Sequence, residues 1–245
     1  MLKGKTALIT GCNRGIGKAI FDKFISNHAD IICCVRKIDN NFIEYINKTK
    51  KKNHNKIRIL EFDLSHEKQI ENAIKNLINE KIKLDILVNN AGIASGSLVE
   101  MTPIRNLKKD FQINFFSQIK LIQLTLRLLK KSSNSSVINI GSISGLLSER
   151  GTLSYGSSKA ALMFATKIMA KEFAVYKIRV NSIAPSVAKT DMLKKMDPNS
   201  IEKLLTLSSL KEPIDVDKIA DKVLYLASDS SKKVNGKIIK IEGNK

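Results

Sequence analysis

The sequence predicts one doubly wound α/β domain over residues 1–245, a parallel sheet of about seven strands with helices on both faces. Three observations carry this. Short apolar runs alternate with longer helical patterns from end to end. The links between successive strand candidates are long enough for crossovers, whereas antiparallel pairs need only tight turns. Runs such as Ile31-Ile32-Cys33-Cys34-Val35 are apolar on both faces, as in strands covered by helices on both sides.

The first strand, 6–10, runs into a glycine-rich turn that opens a helix over 15–27. Strand 30–35 is the doubly apolar run quoted above, and helix 41–52 follows it. Strand 57–62, helix 67–80 and strand 86–89 repeat the alternation. A long helical pattern then spans 104–131. Strand 136–140, helix 153–175, strand 179–184, helix 215–227 and strand 237–241 complete the chain. Segment 186–209 breaks the rhythm. It contains Pro198 and lies between the last two strands, where an irregular insertion can act as a lid over a ligand.

Composition narrows the class. With 43% hydrophobic and 27% charged residues the chain is globular rather than disordered. No apolar run approaches the length of a membrane span, and the apolar part of residues 1–10 is too short for a signal peptide. Cys12, Cys33 and Cys34 read as buried thiols in a reducing cytoplasm. His28, His54 and His66 are scattered, so no metal site is expected. The net charge is +19, yet the 42 basic residues include only seven arginines. Aromatic residues are 5% and Trp is absent, so no stacking surface for nucleic acid is expected. The lysine excess reads as a solvated surface or as an attraction for an acidic partner.

Two constellations carry chemistry. Thr10-Gly11-Cys12-Asn13-Arg14-Gly15-Ile16-Gly17 joins the first strand to the first helix. Its glycines let the backbone turn sharply and approach a pyrophosphate at the helix N-terminus. A NAD site wants an acid at the end of the second strand, but this chain has Val35-Arg36-Lys37, and Arg14 adds a third cation. A 2′-phosphate, and hence NADP(H), is expected. Tyr155 and Lys159 are spaced to share one face of a helix. A nearby ammonium lowers the pKa of a phenol that otherwise titrates near 10. Ser142 follows a predicted strand, where its hydroxyl can meet a carbonyl oxygen. Gly141-Ser142-Ile143-Ser144-Gly145 is not a hydrolase elbow, because Ile143 stands where the nucleophilic serine belongs.

With Asn89-Asn90-Ala91-Gly92 and Asn114, these residues make the chain resemble the short-chain dehydrogenase/reductase family over essentially its whole length. The resemblance implies a Rossmann-like fold and a catalytic set of Asn114, Ser142, Tyr155 and Lys159. It further implies a cofactor site built from Gly11, Asn13, Arg14, Gly15, Ile16, Gly17, Arg36, Lys37, Asp63, Leu64, Asn90, Ala91, Gly92, Pro185, Val187 and Thr190, with Tyr155 and Lys159 shared. Asp63 would hold the adenine, and Asn114 would kink the long helix and place a water on a proton relay to Lys159. Pro185 and Thr190 would shape the nicotinamide pocket. Two positions depart from the family pattern: Ser186 replaces the usual glycine after Pro185, and the ending Glu242-Gly243-Asn244 lacks a second glycine.

Within the family the overall resemblance is greatest to 3-oxoacyl-acyl-carrier-protein reductases of fatty acid biosynthesis. A reductase of a sugar or surface-polysaccharide intermediate is the second reading. A non-catalytic NADP-binding regulator would not need the complete catalytic set. The resemblance also implies a homodimer or homotetramer formed through helices 104–131 and 153–175. A carrier-bound substrate would arrive on an acidic partner, for which Lys130, Lys131, Lys177, Lys189, Lys194 and Lys195 are candidate contacts.

Overall fold

β1 (Thr6–Thr10) lies inside a seven-stranded parallel sheet, flanked by β2 (Asp30–Val35) and β4 (Ile86–Asn89). β3 (Ile57–Glu61) pairs outside β2, while β5 (Ser135–Ile140), β6 (Ile178–Pro185) and β7 (Ile238–Ile241) extend the other side. The order is β3-β2-β1-β4-β5-β6-β7, with every pair parallel. The computed structural model describes residues 1–191, 193 and 212–242. Most of the expected lid, including Lys194, Lys195 and Pro198, and the tail from Gly243 onward lie outside the described residues.

Seven α-helices accompany the described strands: α1 (Gly15–Ser26), α2 (Asn40–Lys52), α3 (Glu67–Asn79), α4 (Ile104–Phe111), α5 (Ser117–Leu129), α6 (Leu153–Glu172) and α7 (Val216–Ala227). Alternate residues of β1 to β6 feed two separate cores. Ile9, Ile31 and Cys33 pack with Phe21 and Phe24 of α1, Ile46 of α2 and Val223 of α7. Leu8, Ile32, Leu87 and Val137 pack with Ile74 of α3, Leu121 of α5 and Met169 of α6. The strands are apolar on both faces because each face meets its own helical layer. Phe21 and Phe24 are fully buried, and truncating either to alanine costs about 3–5 kcal/mol.

The long helix expected over 104–131 is not a single α-helix. Residues Gln112–Phe116 form a π-helical stretch between α4 and α5, with Ile113 and Asn114 buried. Such a bulge is the usual physical cause of a helix bend at a functional position. Strand and helix ends otherwise move by a few residues: β3 stops at Glu61, β6 runs on through Pro185, and α6 stops at Glu172 before a short 3₁₀ turn.

Chain progression reverses between β1 and β4, the two strands that leave the centre of the sheet in opposite senses. A crevice opens there beyond their carboxyl ends, Thr10 and Asn89, which is where ligands bind in open α/β sheets.

Candidate active site

The glycine turn after β1 is laced to the segment after β4. Thr10 Oγ1 accepts hydrogen bonds from the Asn90 and Ala91 amides, each at 2.9 Å. Asn90 Nδ2 donates back to the Thr10 carbonyl at 2.8 Å and to that of Gly11 at 3.2 Å. Gly11 and Gly15 both have positive φ, +68° and +53°. A Cβ on Gly17 would lie 2.0 Å from the Gly11 carbonyl oxygen, so no other residue fits there. Arg14 precedes α1 in extended conformation and its side chain caps no amide of the first turn. Those amides are thereby left for another acceptor. Asn13 is half-buried in the turn, and Ile16 packs on the first core. Thr190 approaches Gly15 closely enough that a Cβ there would meet its methyl group at 3.3 Å.

At the end of β2, Arg36 and Lys37 are exposed, as is Arg14. Two acids stand near this point, and both are committed to backbone amides. Asp39 caps α2 by accepting from Phe42 N at 2.9 Å. Glu61, opposite Val35 in the β2–β3 register, accepts from Ile38 N at 2.7 Å. Glu61 was not foreseen from the sequence, because only strand pairing brings it here. Asp63 accepts from the amide and hydroxyl of Ser65 at 2.8 and 2.7 Å. Burial pushes its carboxyl up, but the Ser65 donors, with the charges of Arg36 and His66, hold it below its ordinary value. Leu64 is buried in the second core and its carbonyl accepts from Ser117 Oγ.

Asn114, Ser142, Tyr155 and Lys159 do converge. The Ser142 hydroxyl faces the Tyr155 phenol and favours its ionised form, and its Oγ accepts from Ser144 N at 3.2 Å. Lys159 is 4% exposed, with Nζ 2.7 Å from the Ile140 carbonyl and 5.9 Å from the Tyr155 ring centroid. Asn114 accepts from Ile93 N and donates to Ile93 O, both at 2.9 Å, and donates to Ser158 Oγ at 3.0 Å. Ser158 in turn donates to the Tyr155 carbonyl at 2.7 Å, which ties the π-helical stretch to α6. A Cβ on Gly92 would sit 2.9 Å from Asn114 Oδ1 and 3.3 Å from Lys159 Nζ, so the glycine is what lets these two groups close on the chain.

One electrostatic expectation is corrected. Without cofactor the Tyr155 phenol is raised, not lowered: burial pushes it up, the Ser142 hydrogen bond opposes this, and the charge of Asp110 adds to it. Lys159 is itself pushed down to about 8 by burial. A desolvated ammonium at this distance does not outweigh the loss of water around the phenol.

The lysine expectation is corrected too. α5 starts at the carboxyl edge of the sheet and returns to the amino edge, so Lys130 and Lys131 end up far from the crevice. Lys131 Nζ bonds the Ile82 carbonyl ahead of β4, and Lys130 lies over the Tyr176 ring ahead of β6. Lys177 sits at the same edge, immediately before β6. Only Lys189 remains as an exposed cation beside the crevice among the described members of that set. β6 itself ends with Pro185 buried and Val187 half-buried, the Val187 carbonyl accepting from Ile214 N at 2.7 Å. Ser186 Oγ is buried there without a protein partner.

Besides Glu61, two contributors escaped sequence reasoning, Ser158 and Asp110, and the role of Thr10 as acceptor for the segment after β4 was not foreseen. The i, i+4 spacing of Asp110 and Asn114 was the available signal for Asp110, since it puts a second polar side chain on the face that turns inward.

A nucleotide-cradling turn and a Ser–Tyr–Lys–Asn cluster at one sheet edge define a dehydrogenase site, and the chain belongs to the short chain dehydrogenase family, whose model matches residues 5–200. It is an oxidoreductase acting on the CH–OH/C=O pair with NAD(P)H. Among curated proteins it is 30% identical over 242 residues to the 3-oxoacyl-[acyl-carrier-protein] reductase FabG of Buchnera aphidicola, covering 99% of this chain and 97% of that one. The FabG protein of Thermotoga maritima is equally similar, 30% over 242 residues, with 99% and 98% covered. Among solved structures, the Pseudomonas aeruginosa RhlG/NADP active-site complex superposes with a TM-score of 0.89 at 30% identity, over 99% of this chain and 96% of that one.

Proposed function

We propose that the protein is an NADPH-dependent reductase of 3-oxoacyl groups carried on acyl carrier protein, acting in cytoplasmic fatty acid biosynthesis. The observation that carries this is the convergence of Ser142, Tyr155 and Lys159 beside the glycine turn. The two FabG relatives suggest the substrate class, because both align over nearly their whole length. The three cysteines are free and buried, which suits a reducing compartment.

The residues present fit a phosphorylated dinucleotide. Gly17 leaves a backbone cradle that a Cβ would fill, and the first-turn amides of α1 have no side-chain cap. Arg14, Arg36 and Lys37 are exposed where a 2′-phosphate would lie, and both nearby acids are occupied by amides. The orphaned Ser186 hydroxyl offers a further polar contact on the nicotinamide side. Asp63, Asn90 and Ala91 would line the adenosine, and Thr190 the pyrophosphate.

When bound, NADPH supplies hydride to the carbonyl carbon. Ser142 donates a hydrogen bond to the carbonyl oxygen, where negative charge develops. Tyr155 passes its hydroxyl proton to the same oxygen as general acid. Lys159 would hold the ribose hydroxyls and, with Asn114, passes a proton from solvent back to Tyr155. An open groove of about 510 Å³ starts beside Ser144; Leu98, Val99, Leu146, Leu147 and Leu153 supply its apolar part, and Glu149 and Arg150 also line it. That apolar part suits an acyl chain. The outer faces of the π-helical stretch and α6 carry Phe116, Phe164 and Ile168, all exposed, which supports a dimer or tetramer through these helices.

Turnover followed by NADPH absorbance tests the substrate reading. For a carrier-bound 3-oxoacyl group, kcat/KM falls steeply from low to physiological ionic strength, as exposed charges become screened beyond about 8 Å. For a small free thioester it hardly moves. Equal rates for the two with the same flat salt profile would reject the carrier.

A further inference from the structure

Two of the cations that face the 2′-phosphate region stand on a very short bridge. β2 ends at Val35, and Ile38 already packs against the first core, so Arg36 and Lys37 alone span the gap, both exposed. Each end of this bridge is tied to the end of β3. The Val35 carbonyl accepts from Phe62 N at 3.0 Å, and Ile38 N donates to Glu61 Oε2 at 2.7 Å. The first tie is backbone to backbone, so almost any sequence supplies it. The second needs a side-chain acceptor at residue 61.

Strand alternation explains why Glu61 reaches Ile38. Ile57 and Ile59 of β3 turn toward the first core, Leu60 and Phe62 toward the second. Glu61 therefore leaves the sheet on the first-core side, where Ile38 packs. The register sets it opposite Val35. The Cys34 carbonyl accepts from Gly11 N at 2.7 Å, so the end of β2 is also tied to the glycine turn. The bridge is thereby held at a fixed offset from the turn that would cradle the pyrophosphate.

By charge alone a glutamate is unfavourable here, because an exposed carboxylate repels a phosphate bound nearby. Among the described residues Glu61 is not salt-bridged to Arg36 or Lys37. Its hydrogen-bond partner is the Ile38 amide, and a carboxylate makes that bond a charge-assisted one. Holding the bridge is the role that geometry gives this side chain.

We propose that Glu61 is a positioning residue for cofactor selection: by holding Ile38 N it fixes the Arg36–Lys37 bridge in the conformation that receives the 2′-phosphate. This rests on the NADPH reading and deepens it. A bridge clamped at both ends loses less freedom when the phosphate binds, so the cations give more net affinity. Glu61 touches neither substrate nor reacting atoms in this role.

NADP⁺ and NAD⁺ differ only by the 2′-phosphate, so their dissociation constants, measured by isothermal titration calorimetry without turnover, isolate its contribution. The wild type should bind NADP⁺ more tightly. Glu61→Ala should lower the Kd ratio of NAD⁺ to NADP⁺ by about 10-fold while NAD⁺ affinity is kept. Glu61→Gln keeps an oxygen for Ile38 N and removes the charge, so its ratio should equal or exceed that of the wild type. Should Glu61→Ala not fold, Glu61→Thr, a good strand former too short to reach Ile38 N, carries the same expectation. A ratio that holds or rises in the short variant, as charge removal alone would give, overturns the proposal. So does a fall in Glu61→Gln as large as that in the short variant. Failure of the underlying reading shows in the wild type alone, as NAD⁺ bound at least as tightly as NADP⁺, and it takes the proposal with it.

Discussion

Lys159→Met should make the cofactor-free protein more resistant to unfolding near neutral pH while abolishing turnover. Burial drives the Lys159 ammonium from 10.5 to about 8. The unfolded chain therefore binds more protons than the folded one between those values. Sign follows directly: this group's contribution is most favourable above 10.5 and is lost as pH falls through about 8. At about 1.4 kcal/mol per pH unit, holding the proton at neutral pH costs the fold about 3 kcal/mol. Methionine matches the length without the charge, but it leaves the Ile140 carbonyl without its 2.7 Å donor. That loss is about 1–3 kcal/mol and does not depend on pH. The variant should thus equal or exceed wild type by up to about 2 kcal/mol at neutral pH, and lose about 3 kcal/mol of relative stability by pH 10.5. Urea unfolding followed by far-ultraviolet circular dichroism, at fixed protomer concentration, measures both. Other lysines titrate in both proteins and cancel in the difference. A stability difference that stays flat across this window would refute the argument from burial.

The cofactor, the glycine and the assembly give three further expectations. Arg36→Asp should lower the NADPH-over-NADH ratio of kcat/KM by about 10-fold or more, through a lost charge-assisted contact and a new repulsion; an unchanged ratio would place the 2′-phosphate elsewhere. Gly92→Ala pushes on Asn114 Oδ1 and Lys159 Nζ from 2.9 and 3.3 Å, so kcat should fall by about 10–100-fold with the circular dichroism spectrum preserved, and a normal kcat would show that both groups relax freely. Phe164→Asp, at a side chain 67% exposed on the outer face of α6, should convert a multimer to protomers in light scattering, whereas a wild-type protomer mass at micromolar concentration would dismiss the interface.

The sheet was legible because its strands are short, apolar on both faces and separated by helix-length crossovers, a pattern few other folds share. The candidate cluster was legible because Ser142 follows a strand end and Tyr155 and Lys159 form a local i, i+4 pair on one helix. What stayed hidden depends on tertiary pairing. Glu61 reaches the end of β2 only through the β2–β3 register. Thr10 matters through bonds to a segment 80 residues away. The inward turn of Asp110 requires knowing how α4 rolls into the π-helical stretch. The misplacement of Lys130, Lys131 and Lys177 has a different origin. A crossover helix must return to the amino edge before the next parallel strand, so connectivity alone assigns them to the wrong side for contacting a substrate. Desolvation of Tyr155 was also missed, because spacing conveys the neighbouring charge but not the missing water.

The central place of β1 bears on how the chain comes off the ribosome. β1 is made well before its β4 partner, so its β4 flank stays open until residues 86–88 have been made. Until then Ala7, Leu8 and Ile9 keep unpaired amides and carbonyls along one edge, on a strand whose side chains are fully buried in the finished protein. With β1, β2 and β3 made and β4 still to come, the chain presents a three-stranded sheet with its stickiest edge outward, and the long sequence separations of parallel pairing make closure slow. The same strand that anchors the nucleotide turn is the one most exposed to misassembly during synthesis, so substitutions that delay β4 should lower the yield of folded protein more than they lower its final stability.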